Sequence, residues 1–358
     1  MNQPRFAFFQ QGARLMADAM VGIADHVPVY AQMHDFAVAR YGADASCFYN
    51  RAALLVPALL QAQAAIGLDV ASITFDVYNI EAEALGQALI RGSSGMPDID
   101  RRRPLIRDRA DLRRIKTPDF ASAGRFANVI EMYRLFRELT GIEPTLAFCA
   151  PFTLATNLRG IEQFLVDIYL DPDFAHNLLD RVTEEVLVPW IRFQQRQFPA
   201  AVRVSGADAT ASFPIINTDI LRDWALPPIQ RLRALCGPGV YVANWAGEHC
   251  SKAPDAILNL KRLANPDWVQ GQDPDVDRLG PAFYKRYAQR HDLPLILGVG
   301  AAFLAEASPA AVRDRVSHYV KEGSDGGRFA LYLCNVGATT PLENVKAAIE
   351  TAHQYVTR

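Results

Sequence analysis

The chain has 358 residues, half of them hydrophobic, so it can bury a large core. Its 37 basic and 39 acidic residues give a formal net charge of −2, which provides no general attraction to nucleic acid or to an acidic membrane surface. Five cysteines are an odd and sparse set, which argues against a disulfide framework and favours a reducing, cytoplasmic location. The first apolar run is broken by Gln10, Gln11 and Arg14, and no run approaches the roughly 20 apolar residues of a membrane span.

The predicted elements begin with a helical prefix over residues 1–24, which we expect to cover the lower end of the fold. After it, short β-rich apolar runs end in small or polar residues, and each is followed by a helical pattern. In chain order these runs are Val27–Met33, Ser72–Asp76, Thr145–Ala150, Val202–Asp208, Val240–Ala246, Trp268–Asp273, Leu293–Val299 and Phe329–Asn335.

Strands that alternate with helices predict a parallel sheet, and eight strands are the number that closes a barrel. The sequence therefore predicts one α/β domain over residues 1–358, a (β/α)₈ TIM barrel with an N-terminal helical extension. The competing architecture is a doubly wound sheet, and one miscounted strand would restore it.

In a barrel of this kind the reactive groups lie at the C-terminal ends of the strands. Polar side chains follow several of the predicted strands here, and we expect them to meet at one mouth. They are His34, Asp76, Asn79, Glu81, Cys149, Asp208, Asn244, Glu248, His249, Cys250, Asp273 and Cys334.

Three segments then resemble one enzyme family. The stretch from Asp76 to Gly86 contains Glu-Ala-Glu-Ala, which is similar to the methyltransferase branch of the uroporphyrinogen decarboxylase superfamily. Ala150–Ala155 followed by Gly160 resembles its Pro-aromatic-Thr-Leu-Ala signature, and residues 333–344 resemble its closing Cys-Gly-Ile … Thr-Pro-Leu-Glu-Asn. The resemblance extends from about Val27 to Ala352.

Departures from the family pattern count against decarboxylation of uroporphyrinogen. The stretch from Tyr30 to Phe36 has no arginine, although the decarboxylases carry an arginine-rich loop there that grips substrate carboxylates. The decarboxylase tyrosine is replaced by Asn157 and its last-strand histidine by Cys334, while Asp76 still aligns with the catalytic aspartate.

The methyltransferase branch binds zinc through His-x-Cys after the fifth strand and a cysteine after the eighth. Cys334 matches the last ligand, and two registers are open for the others. In one, Asn244-Trp-Ala246 replaces His-x-Cys and two ligands are lost. In the other, which we favour, Glu248 and Cys250 join Cys334 as an open catalytic set with His249 as an alternative ligand.

The resemblance implies a methyltransferase that moves a methyl group from a small methylated substrate, such as a methoxylated aromatic, to a corrinoid carried by a separate protein, with zinc assistance. Asp76, Glu81 and His34 are the predicted catalytic residues. The predicted substrate-binding residues are Tyr78, Asn79, Asn157, Asp208, Asn244 and Asp273. The resemblance also implies a monomer or homodimer.

Two other readings stay open. The first is a decarboxylase of a smaller acid, which the retained Asp76 favours. The second is a binding protein without catalysis, which the Asn244 register favours.

Overall fold

The computed structural model describes residues 3–41, 44–92 and 95–355. The strands are β1 Val29–Ala31, β2 Leu89–Ile90, β3 Asp98–Ile99, β4 Leu146–Cys149, β5 Val204–Ala207, β6 Val240–Val242, β7 Val269–Gln272, β8 Leu295–Val299 and β9 Phe329–Leu333. The α-helices are α1 Phe9–Val21, α2 His34–Tyr41, α3 Ala45–Phe48, α4 Ala52–Ala65, α5 Ile80–Ala84, α6 Phe126–Thr140, α7 Pro151–Arg159, α8 Ile161–Leu170, α9 Pro172–Arg181, α10 Val188–Gln197, α11 Thr218–Ile220, α12 Leu226–Cys236, α13 Pro254–Ala264, α14 Asp275–Leu279, α15 Pro281–Arg290, α16 Ala301–Glu306, α17 Pro309–Gly323 and α18 Leu342–His353.

The strands β1 and β4–β9 are parallel and form two hydrogen-bonded sectors, in the orders β1-β9-β8-β7 and β4-β5-β6. Helices separate successive strands and pack outside them, with a continuous apolar core between the two layers. This arrangement confirms the predicted TIM barrel, because parallel strands joined by helical crossovers surround a common interior.

One predicted strand is wrong. Residues 72–76 have no regular secondary structure and form no ladder with β4. The N–H groups of β4 that face this gap donate instead to side chains, Ala147 to the hydroxyl of Tyr133 at 2.8 Å and Cys149 to Oε1 of Glu81 at 3.1 Å. Two side chains thus satisfy the backbone donors that a neighbouring strand would otherwise satisfy.

The same segment is attached to the other side of the gap. The N–H of Val70 donates to the carbonyl of Val29 at 3.3 Å, and the hydroxyl of Ser72 donates to the carbonyl of Ala31 at 2.7 Å. The segment therefore keeps its place beside β1, although the barrel is open between it and β4.

An insertion follows this segment on the C-terminal side of the barrel. It contains the short antiparallel pair β2–β3, in which Leu89 lies opposite Ile99. The sequence analysis does not predict this pair, because two-residue strands give no periodic signal.

Helix α1 confirms the predicted N-terminal extension, although residues 1–2 of the prefix lie outside the described residues. Its contacts are with segments that precede strands. Gln10 donates to the carbonyl of Thr140, and the backbone of Met20 accepts from Arg328. At Gly12 a Cβ would lie 1.8 Å from the carbonyl oxygen of Asp69, so only glycine allows this approach. The helix therefore covers the N-terminal end of the barrel.

Among the described residues, we find no helix with the length and apolar character that crossing a membrane requires.

The hydrogen bond from the Ala147 N–H to the Tyr133 hydroxyl, which replaces a bond of the missing ladder, should contribute to stability. Tyr133→Phe removes the acceptor of the buried Ala147 N–H and should lower the free energy of unfolding by about 1–3 kcal/mol. Urea denaturation measures the loss. Tyr169→Phe, on the exposed surface of α8, is the control and should leave the midpoint unchanged. Equal stability of the two variants would contradict this account of β4.

Candidate active site

The interior of the barrel is defined by the alternation of side chains along the parallel strands. A Cβ at Gly271 would lie 2.6 Å from the ring of Tyr284 on α15, so Gly271 faces the helices and Gln272 faces inward. A Cβ at Gly298 would lie 2.5 Å from Sγ of Cys334 and 2.9 Å from Cβ of Gln272. The side chains of Gln272 and Cys334 therefore meet inside the barrel.

Tyrosines line one side of this interior. The rings of Tyr30 on β1 and Tyr332 on β9 stack with centroids 4.6 Å apart, and the hydroxyl of Tyr332 donates to Gln32 at 3.1 Å. Burial raises the pKa of Tyr332 well above its ordinary value, and Cys334, Tyr30 and Tyr78 raise it further. These groups therefore share one poorly solvated space.

No charged residue occupies the inward strand positions of the described residues. Counted by alternation from Gln272, Gly298 and Cys334 and by register, these positions on β1 and β7–β9 are Tyr30, Gln32, Gln270, Gln272, Ile296, Gly298, Ala330, Tyr332 and Cys334. The strands β4–β6 pair only with one another, and their positions are counted from Tyr241, which raises the pKa of Tyr30 inside the barrel. They are Ala147, Cys149, Ser205, Ala207 and Tyr241. The interior offers neutral hydrogen-bonding groups and aromatic faces to a ligand.

Four predicted substrate-binding residues come together at the mouth. The amide of Asn244 donates to the hydroxyl of Tyr78 at 3.1 Å, and its Oδ1 accepts the backbone N–H of Asp208 at 3.0 Å. Asn157 donates to the carbonyl of Tyr78 at 2.8 Å. Since the Tyr78 oxygen accepts from Asn244, its O–H remains able to donate to a ligand.

The Asp208 carboxylate supports this rim from behind. It accepts from the backbone and the hydroxyl of Thr153, at 3.0 and 2.7 Å, and from the indole of Trp245 at 2.9 Å. Burial raises the pKa of Asp208 to about 6, while these donors lower it. Its side-chain contacts are internal, so its effect on a ligand acts through Asn244.

A second cluster surrounds Asp76, which is fully buried. Both oxygens of Asp76 are bound by the guanidinium of Arg125, at 2.8 and 2.5 Å, and Asn79 donates to one of them at 3.1 Å. The same guanidinium binds Glu83 at 2.6 Å. Burial opposes the charge of Arg125, but the two carboxylates raise its pKa above its ordinary value. Asp76 is therefore held in a closed ion pair.

His34 begins α2 close to this cluster. Burial lowers the pKa of His34, although the charges of Asp35 and Asp76 act in the opposite direction. Its Nδ1 has no hydrogen-bond partner among the described residues, and its ring meets that of Tyr49 edge-on at 5.8 Å. At neutral pH it is an uncharged imidazole with a nitrogen free to exchange a proton.

Glu81 lies behind β4. Burial raises the pKa of Glu81 to about 8, and the backbone N–H of Cys149 and the side chain of Trp190 lower it. The carboxyl group is thus protonated at neutral pH.

Asp273 does not join the polar wall that the sequence predicts, because it faces outward. It accepts from the hydroxyl of Tyr319 at 2.5 Å, from Arg315 at 3.3 Å and from the N–H of Gly300 at 2.9 Å. Tyr319 and Arg315 belong to α17, so Asp273 fastens the end of β7 to the helix layer.

The structure does not bring together the three ligands of the favoured zinc register. Glu248 is fully buried and bound by Lys261 at 2.5 Å, whereas Cys250 is exposed and contacts His249. His249 itself is bound to Asp275. Within the described ranges, the ligand atoms of Glu248, Cys250 and Cys334 do not all lie within 4.8 Å of one another. Ion pairing with Lys261 is the physical reason, since it holds Glu248 away from the mouth.

The other register agrees with the structure. Asn244 occupies the mouth after β6, its amide is engaged by Asp208 and Tyr78, and Ala246 has no donor atom. Cys334 is the remaining family ligand, and burial raises the pKa of its thiol well above the ordinary value. One protonated thiol and one engaged amide do not fit a zinc ion, which binds three or four N, O or S⁻ ligands from the protein.

Sequence reasoning missed Arg125, Tyr30, Gln32, Gln272 and Tyr332. Tyr30, Gln32 and Tyr332 alternate with apolar residues along β1 and β9, so period-2 alternation could have identified these three. Arg125 stands in a loop far from Asp76 in sequence, and no local pattern indicates their pairing.

Comparison with known proteins gives the class and then the family. The chain superposes on a solved methyltransferase from Methanosarcina mazei with a TM-score of 0.76, at 18% identity, over 98% of this chain and 99% of that one. At 18% identity, this likeness establishes that the two proteins share the barrel fold, and nothing more. The chain belongs to the uroporphyrinogen decarboxylase (URO-D) family, whose model matches residues 13–355.

A curated relative supports the view that the chain is an enzyme. It is the methylated-thiol–coenzyme M methyltransferase of Methanosarcina mazei, which is 23% identical over 297 residues and covers 80% of this chain and 73% of its own length.

The ion pair between Asp76 and Arg125 predicts that substitutions of these two residues have strongly non-additive effects on stability. Arg125→Met leaves a buried carboxylate without its cation and should cost about 3–5 kcal/mol of unfolding free energy, whereas the double variant with Asp76→Asn should recover part of that loss. Urea denaturation of the four proteins measures the coupling energy. Additive losses would contradict the pairing.

Glu81 predicts a pH effect on stability. The unfolded chain releases the proton of a glutamate near pH 4.3, but the native state holds it until about pH 8. The unfolded state is therefore favoured increasingly as the pH rises through this window. Glu81→Gln removes the titration, so its free energy of unfolding should rise relative to wild type between pH 5 and pH 8. Denaturation at both values measures the difference, and a constant difference would argue against a protonated Glu81.

Proposed function

We propose that the chain is a methyltransferase that takes a methyl group from a small neutral methylated molecule, such as a methoxylated aromatic, and passes it to a corrinoid carried by a separate protein. The substrate binds inside the barrel, and the corrinoid protein docks over the mouth. The observation that carries the proposal is an uncharged, tyrosine-lined interior in a relative of methyltransferases.

The reaction class is supported by the curated relative, whose name assigns it methyl transfer from methylated thiols to coenzyme M. An identity of 23% supports a shared reaction type more strongly than a shared methyl donor. The methyl donor is selected by the side chains that line the site, which differ more readily between relatives.

The substrate class follows from the charge of the interior. Binding a polyanion such as a porphyrinogen requires guanidinium or ammonium groups, and none stands at the inward positions named above. The stacked faces of Tyr30 and Tyr332 suit a planar or apolar ligand, and Gln32 and Gln272 offer neutral hydrogen bonds. A methoxylated aromatic fits these groups better than an acid does.

The chain then stabilises the leaving group. The corrinoid supplies the acceptor for the methyl group, and the bond between the methyl carbon and its oxygen breaks with the electron pair left on oxygen. The Tyr78 hydroxyl, oriented by Asn244, donates a hydrogen bond to that oxygen. The oxygen finally takes a proton that comes from solvent at the mouth. The neutral His34 relays it, because one ring nitrogen accepts a proton as the other releases one.

The buried acids have positioning roles in this proposal. Asp76 holds Asn79 and Arg125 beneath the rim, and Glu81 fixes the backbone of Cys149 at the end of β4. Zinc is not part of the proposal, since the residues at the mouth do not provide its ligand set.

The decarboxylase alternative is disfavoured. A carboxylate that stabilises developing positive charge on a substrate must be free to face it, whereas both oxygens of Asp76 are bound by Arg125. Assay of carbon dioxide release from small acids tests that reaction separately.

The test is methyl transfer to free cob(I)alamin, which stands in for the corrinoid protein. We expect anisole-type neutral ethers to yield methylcobalamin faster than methoxybenzoates, as followed by the visible absorbance of the cobalamin. Absence of transfer from every neutral ether and thioether, with active reductant present, would overturn the proposal.

The role of Tyr78 gives a matched pair of variants. Tyr78→Phe should lower kcat by roughly 10–100-fold, because it removes one hydrogen bond to the leaving group. The exposed Tyr169→Phe should keep the wild-type rate. A wild-type kcat in Tyr78→Phe would show that another group stabilises the leaving oxygen.

A further inference from the structure

A cluster of two histidines and one carboxylate lies at the end of the barrel opposite the mouth. His26 precedes β1, Asp69 precedes the segment at residues 72–76, and His353 ends α18. One potential ligand atom from each lies within 4.8 Å of the others. Three separate parts of the chain therefore converge at this point.

The separations between these atoms are close to those of ligands that share one ion, which would replace the hydrogen bond between His353 and Asp69. Nε2 of His353 lies 2.8 Å from Oδ2 of Asp69, and Nε2 of His26 lies 3.9 Å from Oδ1 of the same carboxylate. The second distance is too long for a hydrogen bond. Ligand atoms bound tetrahedrally at zinc distances are about 3.3 Å apart. The two values bracket that spacing, so small side-chain rotations would close the set around one ion.

The nitrogens are also oriented as they are in metal sites. Nδ1 of His26 is bound to Asp25 at 2.7 Å, which leaves Nε2 as the lone-pair nitrogen that faces Asp69. A metal-binding histidine usually donates its other nitrogen to a carboxylate in this way. Oδ2 of Asp69 is fixed in turn by the N–H of Val29 at 2.9 Å.

We propose that His26, Asp69 and His353 form a binding site for one divalent cation of the zinc class. Imidazole and carboxylate ligands suit zinc, cobalt and nickel ions, and each side chain is partly exposed, so water can complete the coordination. The ion would join the N-terminal segment to the last helix. This site is independent of the mouth and of the proposed methyl transfer.

The test is binding of zinc to the full chain after removal of metal by a chelator, followed by competition with a chromophoric chelator. We expect one tight site per chain, a thermal midpoint that rises by a few degrees at saturating zinc, and a cobalt spectrum of nitrogen and oxygen ligands without sulfur charge transfer. His26→Gln and His353→Gln should each weaken binding by at least about tenfold, and Asp25→Asn should weaken it by about tenfold.

Two controls separate this site from others. His318→Gln, on the exposed surface of α17, and Cys250→Ser, near the mouth, should bind zinc as wild type does. Binding that survives both His26→Gln and His353→Gln, binding that is lost in Cys250→Ser, or the absence of a tight site would overturn the proposal.

Discussion

The alternation of side chains along parallel strands is the constraint on which the site depends. In β1 and β9 every second residue enters the helix layer, and the residues between them enter the barrel, so Tyr30 and Tyr332 must stack when the two strands pair in register. A slip of one residue would exchange them for Val29 and Leu331 and would fill the interior with aliphatic groups. The hydrophobic core therefore fixes the register, and the register fixes the chemistry of the interior. The folding of the barrel and the composition of its interior therefore depend on the same pattern.

Three buried carboxyl groups around the mouth are accommodated by three different means. Asp76 stays paired with a buried guanidinium, Asp208 accepts three hydrogen bonds, and Glu81 retains its proton because it has only weak donors. Protein donors therefore engage the first two carboxylates, and the third carboxyl group carries no charge at neutral pH. Under the proposed function, such a site selects its ligand by shape and hydrogen bonding.

Much of the fold could be predicted from the sequence, because strand-and-helix alternation is a local signal. Seven of the eight predicted runs contain barrel strands, and the rim residues Tyr78, Asn157, Asp208 and Asn244 meet as strand ends require. The prediction of a strand at residues 72–76 was wrong. Its apolar pattern does not reveal that the side chains of Tyr133 and Glu81 accept the hydrogen bonds of the β4 backbone N–H groups. Glu248 misled the prediction for a similar reason. Ligand spacing in a motif gives no information on Lys261, which lies 13 residues further along the chain and binds that carboxylate.

In the proposed methyl transfer, the leaving group is stabilised without a metal ligand set at the mouth. A Lewis acid would polarise an ether, thioether or amine directly, whereas the proposal assigns this task to hydrogen bonds in a poorly solvated space. Such bonds are strongest where the donor is oriented beforehand, and the chain from Asp208 through Asn244 to Tyr78 provides that orientation. Each member fixes the next by one hydrogen bond, so the hydroxyl that we propose for the leaving group stands at the end of a series that begins at the backbone N–H of Asp208. Asn244 occupies the position of a metal ligand in this register and serves here to orient a hydroxyl.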